Sequence, residues 1–385
     1  MSLATRFAVA AALALAPLTA TAAPPAAEKP KTIDLVICLD VSNSMDGLID
    51  SAKLKLWDIV NELARVKPTP NLRVGLYSYG HTSYPREKGW VRKDLDLTTD
   101  LDEVYAKLTA LTTRGGEEYV ARVTQAALTE QKWADGEGAL KLIFVCGNEP
   151  VDQDKQVHLT DVAAQARKQG VLVNTIYCGP ANHPEVPGWR EFATKAGGSY
   201  ANIDQDRAKR DLAANIKTPF DGELLKLGEK LNGTYVAYGK GGRDGAEKQA
   251  AQDRAAGAAA PAAAVARAET KANALYRNST WDLVDRLKED PKFDVTKLKD
   301  EELCEEMRKL KPEERVAYLK KKADERAAVQ KQINELSARR AKFVEEERKK
   351  QPKTEGEKAL DEALKGIIRE QAQAKGFEVP AAGKK

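Results

Sequence analysis

An aspartate and two serines alternate along one short segment, Asp40, Ser42 and Ser44, in the pattern Asp-x-Ser-x-Ser. They offer one carboxylate and two hydroxyl groups, all of them hard oxygen donors. Such donors suit an ion of the magnesium type, which keeps part of its water when bound. Serine and aspartate also cap helices, but a cap uses one side-chain oxygen and this segment offers several. The spacing therefore favours a divalent cation site over a helix cap.

The elements around this segment predict where the site lies. The stretch Ile33–Leu39 is nearly all apolar, which is typical of a parallel strand covered on both faces. Gly47 marks a turn, and a helix is predicted to begin near Leu48. The oxygen donors then follow the carboxyl end of a strand, which is where open α/β sheets bind their ligands.

Strand-like and helix-like segments alternate over the first half of the chain. Right-handed crossovers between them predict an α/β fold with a doubly wound, mostly parallel, six-stranded sheet and helices on both faces. After the Ile33–Leu39 run, the predicted strands are Leu72–Tyr79, Val91–Leu97, Ala139–Cys146, Val171–Cys178 and Ser199–Ile203. The polar strand Val91–Leu97 suits a sheet edge.

Placed after a buried strand in this alternation, the Asp-x-Ser-x-Ser segment resembles the metal-ion-dependent adhesion site (MIDAS) of von Willebrand factor type A (VWA) domains. The resemblance extends over roughly residues 32–204. It implies that the loops Thr112–Tyr119 and Gly147–Pro150 complete the site. In the family these loops supply a threonine and an aspartate, whereas the matching positions here are Glu118 and Asn148.

The two departures can be interpreted together. The number of carboxylates is kept, because one has moved from the second of these loops to the first. We therefore hypothesise a rewired site that still binds Mg²⁺ or Mn²⁺ through Asp40, Ser42, Ser44, Glu118 and Asn148. The alternative is a decayed site that binds no metal, and the sequence leaves both open.

Other residues of the same loops could contact a ligand. Glu117 and Glu149 are spare carboxylates, and His183 lies in the loop after the fifth predicted strand. A solvated loop position is the alternative interpretation of His183, because nothing in the sequence fixes a partner for it.

The composition limits the partners and the compartment. The 385 residues include 62 Lys and Arg against 58 Asp and Glu, a net charge of +4, which gives no case for nucleic-acid binding. Residues 1–22 have the features of a secretory signal peptide, and residues 23–31 those of a flexible leader. The apolar run of the signal is too short to span a membrane, and no later segment is apolar enough. We expect an exported protein, periplasmic or extracellular.

The cysteines fall mostly in predicted core strands. Cys38 and Cys146 could approach each other if their strands are neighbours, but free buried thiols are favoured because Cys is commonly a small core residue. We expect no zinc site.

The composition changes after the predicted VWA domain at 32–205. We predict a helical or extended extension at 206–240 and a Gly/Ala-rich linker, unstructured or loosely helical, at 241–265. A charged helical region at 266–375 should contain a long helix from Pro312, and 376–385 should be a disordered tail. The sequence does not determine whether this region packs on the VWA domain, or the oligomeric state.

Three functions are compatible with these features. The resemblance implies a non-enzymatic module that binds a protein or cell-surface ligand, whose carboxylate completes the coordination of the ion. A structural envelope protein would instead act through its C-terminal helices, as a coiled coil or otherwise. A metal-dependent hydrolase would need a general base, for which Glu117 and Glu149 are the candidates.

Overall fold

The computed structural model describes residues 31–136, 138–203, 216–350 and 360–379. The predicted signal peptide and nearly all of the predicted leader lie outside these residues.

A six-stranded sheet forms the centre of the first half of the described chain. Its order is β3-β2-β1-β4-β5-β6, and all neighbours are parallel except the pair β2 and β3. The predicted doubly wound sheet with a polar edge strand is thus confirmed. The strands are β1 (Thr32–Asp40), β2 (Asn71–Tyr79), β3 (Val91–Thr98), β4 (Leu140–Gly147), β5 (Val171–Cys178) and β6 (Gly197–Ile203).

Helices cover both faces of this sheet. On one face lie α1 (Asp46–Leu63) and α2 (Leu101–Thr109), whose apolar side chains share a core with β1, β2 and β4. Three helices pack on the other face: α3 (Val120–Glu130), α4 (Leu159–Gln169) and α5 (Val186–Lys195). Apolar residues at three- and four-residue steps give each helix one buried face.

The rest of the described chain is helical, as predicted. Its elements are α6 (Asp221–Asn232), α7 (Gly242–Ala259), α8 (Pro261–Lys271), α9 (Leu283–Glu289), α10 (Glu305–Arg308), α11 (Pro312–Lys350) and α12 (Leu360–Ala374). The long helix expected from Pro312 is α11. None of the described helices combines the length and the apolarity that crossing a membrane requires.

The stretch 241–265, for which the sequence left an unstructured linker and a loose helix open, is helical. It forms α7 and the first part of α8, and both helices pack on the half of the chain that contains the sheet. Alanine is the strongest helix former, and Pro261 stands at the first position of α8, where a missing N–H group costs little. The alanine content and the position of Pro261 are therefore consistent with the helical alternative.

Buried charged groups join α8 to α2. Arg267 is 1% exposed, and its guanidinium lies 2.6 Å from the carboxylate of Asp102. Asp253 of α7 contacts both Arg267, at 2.9 Å, and Lys271, at 2.6 Å. The helical region is therefore fixed to the sheet domain by paired charges as well as by apolar contacts.

The tail expected to be disordered at 376–385 is ordered over its described part. Phe377 is 3% exposed in the core shared by α1 and α12, and Glu378 exchanges two backbone hydrogen bonds with Lys67, of 2.7 and 2.8 Å. α12 itself packs on α1 and β6. A buried aromatic side chain and a strand-like pairing thus attach this segment to the domain. The end of the described chain is therefore part of the first domain.

All four cysteines lie in the described part of the chain, and all are free thiols. Cys38, Cys146 and Cys178 are buried in the sheet, so the preferred interpretation as small core residues is confirmed.

Candidate metal site

The aspartate of the motif lies at the carboxyl end of β1, between β2 and β4. Asp40 is fully buried and stands opposite Tyr79 of β2. On the β4 side, a Cβ atom on Gly147 would lie only 2.6 Å from the Tyr79 hydroxyl and 3.2 Å from Asp40 Oδ2. The Tyr79 hydroxyl donates a 2.9 Å hydrogen bond to the carbonyl of Cys146. A glycine is thus needed where the two strands end around this carboxylate.

The two serines and Asn148 form a continuous row from Asp40. The Ser42 amide donates to Asp40 Oδ1 at 2.8 Å, and the Ser42 and Ser44 hydroxyl oxygens lie 3.1 Å apart. The Ser44 hydroxyl in turn donates to Asn148 Oδ1 at 3.3 Å. The fold therefore brings these four predicted residues together.

Glu118 reaches the same place from the loop before α3. A Cβ atom on Gly80 would lie 3.0 Å from both Asp40 Oδ1 and Glu118 Cγ, so the two acidic side chains approach the same glycine. Gly80 has a φ angle of +82°, a left-handed conformation that glycine adopts without strain. Glu118 is 8% exposed. We call Asp40, Ser42, Ser44, Glu118 and Asn148 the oxygen cluster.

Contacts that the sequence did not reveal hold the Glu118 loop against the serine loop. The amide of Gly115 donates to Asn43 Oδ1 at 2.8 Å, and the amide of Arg114 donates to the carbonyl of Val41 at 2.9 Å. The hydroxyl of Thr113 donates to the carboxylate of Asp46. Asn43 lies inside the Asp-x-Ser-x-Ser motif, and its polar side chain was the one feature of the sequence that could have indicated these contacts.

The carboxyl groups of the oxygen cluster lie in an environment that disfavours their charged forms. Asp40 Oδ2 is buried and accepts no hydrogen bond within the described residues. The pKa of Asp40 is raised to about 8, mainly by burial; hydrogen bonds from Ser42 lower it, and the charges of Glu118 and Glu149 raise it. The pKa of Glu118 is likewise raised to about 7, mainly by burial; a hydrogen bond from Gln153 lowers it, and the charge of Glu149 raises it. Neither carboxyl group is therefore fully ionised at neutral pH in the metal-free protein.

The donor set of the oxygen cluster fits a hard divalent ion. The two carboxylates would neutralise a charge of +2, and the hydroxyls and the amide are neutral oxygen donors. Among the described residues, no group of three or more His, Cys, Asp and Glu side chains could hold a metal. A cation at the oxygen cluster would therefore be held by hydroxyl and amide oxygens as well as by the two carboxylates.

The three residues expected at the rim take different positions. Glu117 is exposed and accepts a hydrogen bond from the Tyr119 hydroxyl. Glu149 is half-buried, its carbonyl accepts a 2.9 Å hydrogen bond from Trp189, and its charge acts on Asp40 and Glu118. His183 is exposed and stacks on Tyr177, with ring centroids 5.5 Å apart.

The family comparison agrees with this fold. Residues 34–212 match the family model described as the von Willebrand factor type A domain. The chain therefore contains a VWA domain, and the matched range holds the whole oxygen cluster. Domains of this family commonly mediate protein interactions, often with a divalent metal ion. A search among curated proteins finds no match.

The solved structures that match part of this chain share little sequence with it. Proximal thread matrix protein 1 from the mussel byssus, in crystal form 2, is 12% identical, with a TM-score of 0.37 over 47% of this chain and 44% of that one. The same mussel protein with a zinc-occupied MIDAS motif is 13% identical, with the same TM-score and coverage. The SpRpn10 VWA domain is 17% identical, with a TM-score of 0.34 over 45% of this chain and 88% of that one. The similarity thus spans less than half of the mussel chains.

Proposed function

We propose that this chain is an exported binding protein whose VWA domain attaches to a protein or cell-surface ligand through one divalent ion, Mg²⁺ or Mn²⁺. The oxygen cluster would hold the ion. Export rests on the signal-like residues 1–22 and implies a periplasmic or extracellular location.

One observation carries the proposal. Asp40 Oδ2 is buried without a hydrogen-bond donor, in a cluster whose second carboxylate is also buried. An unpaired buried carboxylate is costly, and a bound cation is the partner that removes this cost. The neighbouring hydroxyls of Ser42 and Ser44 offer the oxygen donors that such a cation also needs.

Each residue of the oxygen cluster would have its own role. Asp40 and Glu118 would supply the negative charge, Ser42 and Ser44 neutral hydroxyl donors, and Asn148 an amide oxygen, either directly or through water. A bound ion would supply a positive charge at the sheet edge, which attracts an anionic group. A carboxylate on the ligand would complete the coordination, and the surrounding loops would set specificity.

An enzymatic role is not part of the proposal. A hydrolase would need a general base beside the ion. Of the two candidates, Glu117 already accepts a hydrogen bond from Tyr119, and Glu149 lies where its charge competes with the buried carboxyls. Neither arrangement favours a dedicated base.

A pull-down from envelope extract tests the binding role. The bait should be the chain from residue 23 onwards, because α12 packs on the VWA domain and a fragment that stops near residue 204 lacks it. We expect a partner that is retained in Mg²⁺, released by chelator, and not captured by Asp40→Ala. Capture that persists in chelator and in Asp40→Ala would instead support a structural role through the C-terminal helices.

A further inference from the structure

Gln153 makes two hydrogen bonds to a single residue of the oxygen cluster. Its Nε2 donates to Glu118 Oε2 at 3.3 Å, and its Oε1 accepts from the backbone amide of Glu118 at 3.3 Å. Gln153 lies in the loop between β4 and α4, which also carries Asn148. One amide thus contacts both the backbone and the carboxylate of Glu118.

The loop that presents Gln153 is itself anchored next to Glu118. Asp154 is 4% exposed and receives hydrogen bonds from Arg122 of α3, at 2.7 and 2.9 Å. Asp154 also accepts hydrogen bonds from the backbone amides of Gln156 and Val157, at 2.9 and 3.2 Å. α3 begins just after Glu118. The hydrogen bonds of Gln153 to Glu118 and of Asp154 to Arg122 therefore attach the β4–α4 loop to the start of α3 at two neighbouring points.

Glu118 needs such support more than a threonine, the residue that the family resemblance implies at this position, would need it. A glutamate has more rotatable bonds than a threonine, so its carboxylate loses more freedom when it is fixed in one place. Gln153 engages Oε2 and so restricts where the other oxygen, Oε1, can lie. A neutral amide can do this without adding charge to a site that already holds two carboxylates.

We propose that Gln153 is a positioning residue that orients the Glu118 carboxylate for a divalent ion. The inference rests on the proposed metal-dependent function. It adds a residue from the β4–α4 loop that neither the motif nor the family match assigns to the site. Partners that orient a metal ligand typically change metal affinity by about 10- to 100-fold when they are removed.

The test compares two glutamines of the same loop. Gln153→Met keeps the length of the side chain but removes both hydrogen bonds, whereas Gln156 is exposed and its side chain contacts Arg122, at 3.1 Å, instead of Glu118. Mn²⁺ affinity is measured by calorimetry on the chain from residue 23. We expect about a 10-fold or greater loss for Gln153→Met and less than about a twofold change for Gln156→Met.

Two controls separate positioning from a general structural role. In chelator, Gln153→Met should unfold at the temperature of the wild type. In a Glu118→Thr background, Gln153→Met should change Mn²⁺ affinity by less than about twofold, because the carboxylate that it orients is absent. Equal losses in both backgrounds, or unchanged affinity in Gln153→Met alone, would overturn the inference but leave the proposed function intact. Absence of Mn²⁺ binding by the wild type would overturn both.

Discussion

Asp40 and Glu118 both approach the same glycine: a Cβ atom on Gly80 would be 3.0 Å from Asp40 Oδ1 and 3.0 Å from Glu118 Cγ. The two residues are far apart in sequence, and the end of β2 brings them together. Their proximity is unfavourable for two carboxylates alone, and a divalent cation would make it favourable.

The metal-free protein should lose stability as pH rises. The folded-state pKa of Asp40 is about 8 and that of Glu118 about 7, both above their values in an unfolded chain. The folded state thus binds protons more tightly than the unfolded state. The contribution of the two carboxyl groups to the free energy of unfolding is therefore full below about pH 4 and is lost as pH rises towards 8. Thermal unfolding in chelator should show it, and Asp40→Asn, which carries no charge here, should show a smaller decline. A decline of equal size in the variant would contradict the assignment.

A methyl group at the end of β4 should disturb the site. Gly147→Ala would place Cβ 2.6 Å from the Tyr79 hydroxyl and 3.0 Å from the Trp189 ring. Overpacking of this kind typically costs about 1–3 kcal/mol of unfolding free energy. Gly138→Ala is the matched control, since a Cβ there meets nothing within 4 Å. Denaturant unfolding measures both, and equal stabilities would show that the strand ends are more adaptable than we infer.

The C-terminal segment should be needed for the stability of the VWA domain. Phe377 is 3% exposed in a core shared with α1, so Phe377→Ala should destabilise the protein by about 3–5 kcal/mol. Gln373 is exposed in the same segment, and Gln373→Ala should have little effect. Chemical unfolding followed by tryptophan fluorescence distinguishes them. An unchanged midpoint in Phe377→Ala would mean that the segment is dispensable.

The buried ion pair between α8 and α2 should also be essential. Arg267→Met leaves the carboxylate of Asp102 buried without its charged partner, which typically costs about 3–5 kcal/mol. An exposed pair is the control: Arg243→Met removes the contact with Glu247, where both side chains face solvent, and should change nothing measurable. If the two variants unfold alike, the helical region is not fixed to the domain through Arg267.

The sequence was sufficient for the strands and for much of the oxygen cluster, because both depend on local patterns. The apolar run before Asp40 predicted β1, and the Asp-x-Ser-x-Ser spacing placed three oxygen side chains on one turn. Glu118 and Asn148 followed from the alignment of later loops with a family pattern. The structure brings both to this turn.

Long-range contacts account for what the sequence did not predict. Gln153 lies in a polar loop, and nothing local indicates that its amide meets Glu118 from 35 positions away. Phe377 follows a charged helix, and only the assembled core shows that its ring is buried against the first domain. The alanine-rich stretch of α7 and α8 has low hydrophobicity, so its packing depends on buried pairs such as Arg267 with Asp102.

Calorimetric titration of Mn²⁺ into the wild type and Glu118→Ala tests the central claim most directly, namely that oxygens from three loops hold one divalent ion. We expect saturable binding of one ion per chain by the wild type and a loss of at least about 10-fold in affinity for Glu118→Ala, which removes one of two carboxylates. Equal heats for the two proteins, or no heat from the wild type, would contradict it.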